Sequence, residues 1–183
     1  LTQPVEFPEK QHKIHPYTFG ALLGDGGIGQ DNLSFSAKTD TIPQHINEVD
    51  GMVSVSNKKG YCEWSLAPYQ QLNKELNRLS VDKKSNSKFI PDEYKYDSVA
   101  NREALLRGLM DTDGSIYGNC QIEFYSVSQQ LAKDVKELVQ SLGGTAEIKE
   151  KPSWYTDSDG NKQDGQLCYR VKITLYDVNP FHM

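Results

Sequence analysis

Apolar residues recur along the chain with two spacings, one typical of helices and the other typical of strands. Apolar positions three and four residues apart predict helices over about 41–49, 68–79 and 128–142, and Gly143-Gly144 ends the last of them. Alternating apolar and polar residues predict strands over 32–36, 52–56, 61–66, 121–125, 145–150 and 168–176. Helices mixed with short alternating strands predict an α+β fold.

One segment of the chain is repeated. The sequence TFGALLGDG at 18–26 recurs as LRGLMDTDG at 106–114, and an alternating strand follows each copy. Three pairs of residues coincide at one constant offset, namely Gly20 with Gly108, Asp25 with Asp113, and Gly26 with Gly114. The repeat predicts one helix-strand-strand-helix-strand-strand-helix unit used twice, over 1–97 and 98–183. Each unit is too small to bury a core alone, so the two should pack together.

Three polar segments are predicted to connect these elements. Residues 57–60 should form a hairpin turn, and the lysine-rich segment 80–97 should link the two halves. The polar segment 151–166 is predicted to be a loop, longer than its counterpart in the first half. This difference, together with Arg170 and Lys172 in the last strand, predicts that the second half makes more contacts with a polyanionic partner.

Composition narrows the class of protein. The chain has 183 residues, a net charge of -5, 37% hydrophobic residues and three cysteines without paired spacing. Without a long apolar run or a basic leader, we expect no membrane partner and an intracellular location, cytoplasmic or nucleoid. Because the chain begins with Leu1, we expect a fragment or a processed product. Net acidity argues mildly against a nucleic-acid partner, although it does not fix how charge is distributed.

The repeated aspartates carry the candidate chemistry. Asp25 and Asp113 come at the C-terminal ends of apolar helices, where the helix dipole disfavours a carboxylate by a few tenths to about 1 kcal/mol. A divalent cation would reverse that effect, because hard cations prefer carboxylate and carbonyl oxygens. Gly20 and Gly108 remove side chains where two helices could approach closely. The sequence therefore predicts a metal site between two packed helix ends.

Other interpretations of these segments fit less well. The glycines of 24–29 match a dinucleotide-binding pattern, but they follow a helix and open a strand, which is the reverse of that motif. A calcium loop beginning at Asp111 would need glutamate where Ile122 stands. Each Asp-Gly pair could also do no more than end its helix. The matching glycines and strands of the second copy argue against this plain alternative.

The second copy resembles the namesake motif of the LAGLIDADG homing endonucleases at six of nine positions. The first copy is looser, and its Leu-Leu-Gly-Asp-Gly form resembles endonuclease domains found in inteins, as does Lys88-Phe-Ile-Pro-Asp. The nucleophile and His-Asn ends of a complete intein are missing. We therefore expect either the endonuclease domain of an intein or a free-standing relative.

The resemblance implies a monomer with internal pseudo-twofold symmetry, built from a pair of αββαββα units. Two antiparallel sheets would form a saddle in the major groove of double-stranded DNA. The implied function is site-specific hydrolysis of both strands of a long DNA target with a divalent cation, usually Mg²⁺. The alternative is a catalytically inactive DNA-binding module, or an RNA-maturase-like splicing helper on the same fold.

The resemblance also assigns residues. The metal set would be Asp25 and Asp113 with Gly24 and Thr112, and lysines near the sheet hairpins would assist catalysis, namely Lys58, Lys59 and Lys162. Polar strand faces would contact bases through Ser34, Ser36, Lys38, Glu123, Tyr125, Arg170, Lys172 and Thr174. Phosphate contacts are expected from scattered lysines, namely Lys83, Lys84, Lys88, Lys149 and Lys151.

Overall fold

A computed structural model describes most of the chain. The described residues are 3–25, 27–28, 33–37, 41–51, 53–58, 61–66, 69–81, 84–118, 121–157, 160–176 and 178–182. At 27–28, 33–37, 53–58, 61–64 and 69 the description covers the backbone only.

The first half carries one antiparallel four-stranded sheet with a helix before, within and after it. Its elements are α1 (Pro16–Gly24), β1 (Gly27–Ile28), β2 (Leu33–Ala37), α2 (Thr41–Asp50), β3 (Val53–Lys58), β4 (Tyr61–Leu66) and α3 (Tyr69–Arg78). The strands lie in the order β1-β2-β4-β3. Helices α2 and α3 and strands β2 to β4 confirm the elements expected from the hydrophobic pattern.

The second half repeats this arrangement. A 3-10 turn (Ser85–Ser87) and α4 (Asp92–Lys95) lead into α5 (Val99–Asp113), β5 (Gly114–Tyr117), β6 (Gln121–Ser126), α6 (Gln129–Ser141), β7 (Thr145–Lys151), β8 (Trp154–Thr156), β9 (Lys162–Asp164) and β10 (Cys168–Thr174). The sheet order β5-β6-β10-β7 matches that of the first half. In the described part of the chain no helix follows β10, so the last helix of the expected unit is not seen there.

Side chains at the helix starts explain where the helices begin. The hydroxyl of Ser128 accepts a hydrogen bond from the backbone N–H of Leu131, and Ser98 does the same for Asn101. His15 accepts from the backbone N–H of Tyr17 and precedes Pro16, which is favoured in a first helical turn. The helix expected from about residue 128 therefore begins where the sequence predicts it.

Helices α1 and α5 form the centre of the core. A Cβ atom added at Gly20 would lie 2.3 Å from the carbonyl oxygen of Leu105, and one added at Gly108 would lie 2.0 Å from that of Tyr17. The two backbones therefore touch at these glycines, and no larger residue fits. Surrounding apolar side chains such as Leu22 and Leu109 are fully buried.

The segments expected to be plain connections are more ordered than the sequence indicated. The linker 80–97 contains α4 and buries Ile90 and Tyr94, each 1% exposed, because it packs between the two halves. The loop 151–166 contains a second hairpin, β8 paired with β9. Asn57 and Lys58, which were expected in a turn, belong to β3 and pair with Cys62 and Tyr61 of β4.

The N-terminal segment crosses to the second half of the chain. The backbone N–H of Val5 donates to the carbonyl of Ser141 at 2.9 Å. The buried guanidinium of Arg102 bonds both Ser141 and Val5, and so fixes the segment to α5 and α6. None of the described helices is long and apolar enough to cross a membrane.

Candidate active site between two helix ends

The packing of α1 against α5 brings their C-terminal ends together. A Cβ atom added at Gly24 would lie 1.9 Å from the hydroxyl of Thr112 and 3.4 Å from Oδ2 of Asp113. Asp25 and Asp113 line a single cavity of about 320 Å³, together with Lys88 from the linker. Residues distant in the sequence therefore meet where both helix dipoles are negative.

The two carboxyl groups lie where a negative charge is disfavoured. The pKa of Asp113 is raised to about 6, mainly by burial, while Lys88 opposes the rise and the charge of Asp25 adds to it. Partial burial also raises the pKa of Asp25, again against the effect of Lys88. Additional positive charge in the cavity would therefore stabilise the ionised form of both carboxyl groups.

Lys88 supplies part of that charge. Its side chain is buried, and Nζ donates to the carbonyl oxygen of Gly24 at 2.9 Å and lies 3.5 Å from that of Leu22. Burial lowers the pKa of Lys88, whereas Asp113 and Asp25 raise it. The ammonium thus binds carbonyls at the C-terminal end of α1 and lines the same cavity as the two aspartates, whose charges favour its protonated form.

The backbone of the linker is anchored so that Lys88 reaches this position. The hydroxyl of Ser128 donates to the carbonyl of Lys88 at 2.6 Å, while also capping α6. Two residues on, the N–H of Ile90 donates to Asp134, which also pairs with the ammonium of Lys95 at 3.1 Å. Helix α6 therefore fixes the linker, and the linker carries Lys88 into the cavity.

The sequence indicates Lys88 as a phosphate contact, and the lysines expected to assist catalysis are others. Lys59 lies outside the described residues, and of Lys58 only the backbone is described, in β3. Lys162 lies in β9, with Nζ 4.4 Å from the centre of the ring of Trp154. It is not among the described residues that line the cavity. The motif Lys88-Phe-Ile-Pro-Asp is visible in the sequence, but the burial of the Lys88 side chain is not.

The remaining residues expected at the metal have other partners. The hydroxyl of Thr112 donates back to the carbonyls of Gly108 and Leu109 at 3.1 and 3.0 Å. The carbonyl of Gly24 already accepts from Lys88. The described residues contain no group of three or more histidine, cysteine or acidic side chains that could hold a metal. Two carboxylates still fit Mg²⁺, which commonly takes its other ligands from water and phosphate.

The expected DNA-contacting residues of the second half share one face of its sheet. Lys172 pairs with Glu123 and Arg170 with Tyr125 across β10 and β6, and Thr174 continues the same face. The opposite face carries buried Phe124 and Val171. The hydroxyl of Tyr125 donates to Glu123 at 2.5 Å, so two of these residues are already joined.

The residues of the first half that are expected to contact DNA are described only in part. Ser34 and Ser36 lie in β2, paired with Ser65 and Glu63 of β4, and only their backbones are described. Lys38 and Lys83 lie outside the described residues. Two further expected phosphate contacts, Lys149 and Lys151, lie in β7 beside β10.

Comparisons with known sequences support the resemblance. A family model described as a LAGLIDADG-like domain matches residues 100–176. The chain is 31% identical over 139 residues to a replicative DNA helicase DnaB of Mycobacterium intracellulare, a match that covers 76% of this chain and 21% of the helicase. The chain thus spans about a fifth of that relative's length.

Solved structures share the fold. The homing endonuclease I-DmoI in complex with DNA and Ca has a TM-score of 0.57 at 12% identity, over 89% of this chain and 83% of that chain. Its complex with DNA and Mn has a TM-score of 0.54 at 12% identity, over 88% and 89%. The N-terminal LAGLIDADG domain of DUF199/WhiA has a TM-score of 0.57 at 12% identity, over 89% and 75%.

Helices and antiparallel sheets in this arrangement form an α+β fold that is shared with solved LAGLIDADG structures. The resemblance noted in the sequence is confirmed, since residues 100–176 match the model of a LAGLIDADG-like domain.

Proposed function

We propose that this chain is a site-specific homing endonuclease that hydrolyses both strands of a long double-stranded DNA target with a divalent cation. The observation that carries this proposal is the convergence of Asp25, Asp113 and Lys88 on one cavity. These residues come from three separate elements, and nothing in the fold alone requires two carboxylates and a buried lysine at that point. Hydrolysis of a phosphodiester would use all three side chains.

The acidic and basic residues of the cavity would have different roles, because their charges are opposite. A bound Mg²⁺, or a similar cation, would polarise the scissile phosphate and lower the pKa of the attacking water. Asp25 and Asp113, one from each helix end, would hold the cation and orient the water. Lys88 retains a proton on Nζ and stabilises charge that develops on the phosphate. The surrounding apolar helices exclude bulk water and strengthen these interactions.

The overall organisation is also part of the proposal. Residues 1–97 and 98–183 would each cover one half of the target, since their sheets share one strand order. The polar face of β6 and β10 would lie in the major groove, together with its counterpart from the first half. One chain then presents both halves of the saddle, so the protein would act as an intracellular monomer.

We further propose that the chain is associated with an intein. The similarity to a replicative helicase covers about a fifth of that protein's length. An endonuclease embedded in a larger host protein would give a partial match of this kind. The Leu-Leu-Gly-Asp-Gly form of the first motif supports the same interpretation.

A second candidate is a DNA-binding module without cleavage, or a splicing helper that binds RNA. The likeness to the LAGLIDADG domain of DUF199/WhiA favours it, because the same fold also occurs as a domain of that protein. The presence of an acidic residue at both helix ends favours the enzyme. Cleavage and binding, measured separately on the same DNA, distinguish the two functions.

The test is the Asp25→Asn/Asp113→Asn double variant. We expect it to lose cleavage of supercoiled and linear duplex DNA while it retains DNA binding in a gel-shift assay. Persistent cutting by this variant would contradict the proposed enzyme. A wild-type protein that binds equally with and without Mg²⁺ and never nicks the DNA would establish the binding module instead.

A further inference from the structure

Glu123 is a buried carboxylate on a polar sheet face. It lies in β6 and is 2% exposed, although its cross-strand neighbour Lys172 on the same face is exposed. A carboxylate in the middle of an otherwise accessible face is costly to bury unless it is hydrogen bonded and paired. Its partners therefore indicate what it does.

Three side chains of the same face bind Glu123. The amide of Gln121 donates to Oε1, and the hydroxyl of Tyr125 donates to Oε2 at 2.5 Å. A guanidinium nitrogen of Arg170 lies 3.5 Å from Oε1. Burial alone would raise the pKa of Glu123, but the bonds from Tyr125 and Gln121 and the charge of Arg170 hold it below the usual value. The carboxylate stays ionised at neutral pH.

The residues around Glu123 line an open cavity of about 510 Å³. The side chain of Arg170 lines this cavity and is 34% exposed. Lys151 lines it as well, with its ammonium 5.1 Å from the centre of the ring of Tyr125. Glu123 itself has almost no exposed surface with which to meet a ligand.

We infer that Glu123 is a positioning residue that fixes Arg170 so that the exposed part of its guanidinium reads a guanine in the major groove. The inference rests on the proposed function and refines the expectation that Glu123 contacts a base itself. Arginine recognises guanine through paired hydrogen bonds to O6 and N7, which require the guanidinium plane to be held in place. A carboxylate behind the arginine reduces the side-chain freedom lost on binding.

Two variants and one control test this assignment by DNA binding alone. Glu123→Gln keeps the shape of the side chain but removes its charge, and Arg170→Lys removes the planar group. The control is Glu147→Gln in β7, which removes an exposed negative charge on the other side of Lys172. Sites are selected from a random duplex library in EDTA, and binding is then profiled over all single-base substitutions.

We expect Glu123→Gln and Arg170→Lys to lose about tenfold of the preference for guanine at one and the same position. Glu147→Gln should keep the wild-type profile. The double variant Glu123→Gln/Arg170→Lys should lose no more than either single variant, because both act on one contact. Thermal melting checks that each variant is folded.

An unchanged profile in Glu123→Gln, or an equal loss in Glu147→Gln, would overturn the inference. If Glu123→Gln does not fold, the binding profile of Arg170→Lys is used instead. A profile of that variant without a weakened guanine position would also overturn the inference. A wild-type protein with no base preference also overturns it. Cleavage of the same library in Mg²⁺ is measured in parallel, so the proposed endonuclease can fail or stand independently.

Discussion

The ammonium of Lys88 donates a hydrogen bond to the carbonyl oxygen of Gly24 over 2.9 Å and joins the linker to the end of the first motif helix. Both residues line the cavity that holds Asp25 and Asp113. The contact connects the segment between the halves with the candidate catalytic centre.

Replacing Lys88 with methionine should reduce DNA cleavage by roughly a hundredfold or more, because a preorganised positive charge at the reacting phosphate is lost. Methionine is similar in length and apolar, so it should remain buried and leave binding largely intact. Single-turnover cleavage and gel-shift titration measure the two effects. The control is Lys133→Met on the exposed face of α6, which should cleave like the wild type. Equal cleavage by both variants would remove Lys88 from the mechanism.

The raised pKa of Asp113 makes the stability of the protein depend on pH. The folded-state pKa of about 6 exceeds the usual 3.8, so the carboxylate opposes folding as the pH rises through this interval. Asp113→Asn should therefore stabilise the protein at pH 7, on the order of 2 kcal/mol, and have little effect near pH 4. Urea unfolding across pH 4 to about pH 8 measures this difference. Asp164→Asn, at an exposed position in β9, should show no such trend.

A divalent cation should remove the same electrostatic cost. At roughly pH 7.5, millimolar Mg²⁺ should raise the melting temperature of the wild type. At about pH 5 the rise should be much smaller, since Asp113 is protonated there. The cleavage rate should rise through the same pH interval. The Asp25→Asn/Asp113→Asn variant should show no Mg²⁺-dependent shift. A shift of wild-type size in that variant would mean that the cation binds elsewhere.

The close contact of α1 and α5 leaves no space for added atoms. Gly20→Ala and Gly108→Ala should each destabilise the protein by about 2 kcal/mol or more, because the new methyl group meets rigid backbone. Gly51→Ala is the comparison, since nothing lies within 4 Å of its added Cβ and only its φ of +64° opposes the change. It should cost about 1 kcal/mol. Chemical denaturation ranks the three variants, and a larger loss for Gly51→Ala would contradict the described helix contact.

The two halves should differ in how strictly they read DNA. The second half has the additional hairpin β8–β9, in which Lys162 lies over the exposed ring of Trp154, and its sheet carries Arg170 and Lys172. Positive charge and a longer reach favour more phosphate contacts. Single-base substitutions should therefore be tolerated less in the half-site of the second half. Equal tolerance, or stricter reading by the first half, would show this inference to be wrong.

Much of the fold could be predicted because its signals are local. Helix α6 combines leucine and valine periodicity with the cap at Ser128, and β10 alternates so that Val171 and Ile173 are buried. The short strands β8 and β9 escaped prediction because all of their residues are exposed and show no apolar alternation. Strand β3 extends to Lys58 through backbone pairing, which side-chain pattern does not record.

The candidate site could be predicted only where the motif repeats. Asp25 and Asp113 stood out because two copies carry the same residue at the end of an apolar helix. The position of Lys88 in the site did not stand out, since the polar residues before it in the sequence indicate a solvated linker. Its burial depends on Ser128 and on the carbonyl of Gly24, both distant along the chain. Long-range packing of this kind leaves no periodic signal.

The most direct test of the central claim is selection of cleaved sites from a random duplex library in Mg²⁺, with sequencing of both cut strands. The wild type should recover one long, asymmetric sequence cut at a fixed position on each strand. The Asp25→Asn/Asp113→Asn variant should recover none while it still retains the same sequence in a binding selection. Recovery of bound but uncut DNA by the wild type would contradict the endonuclease. Cleaved products without a shared sequence would contradict its site specificity.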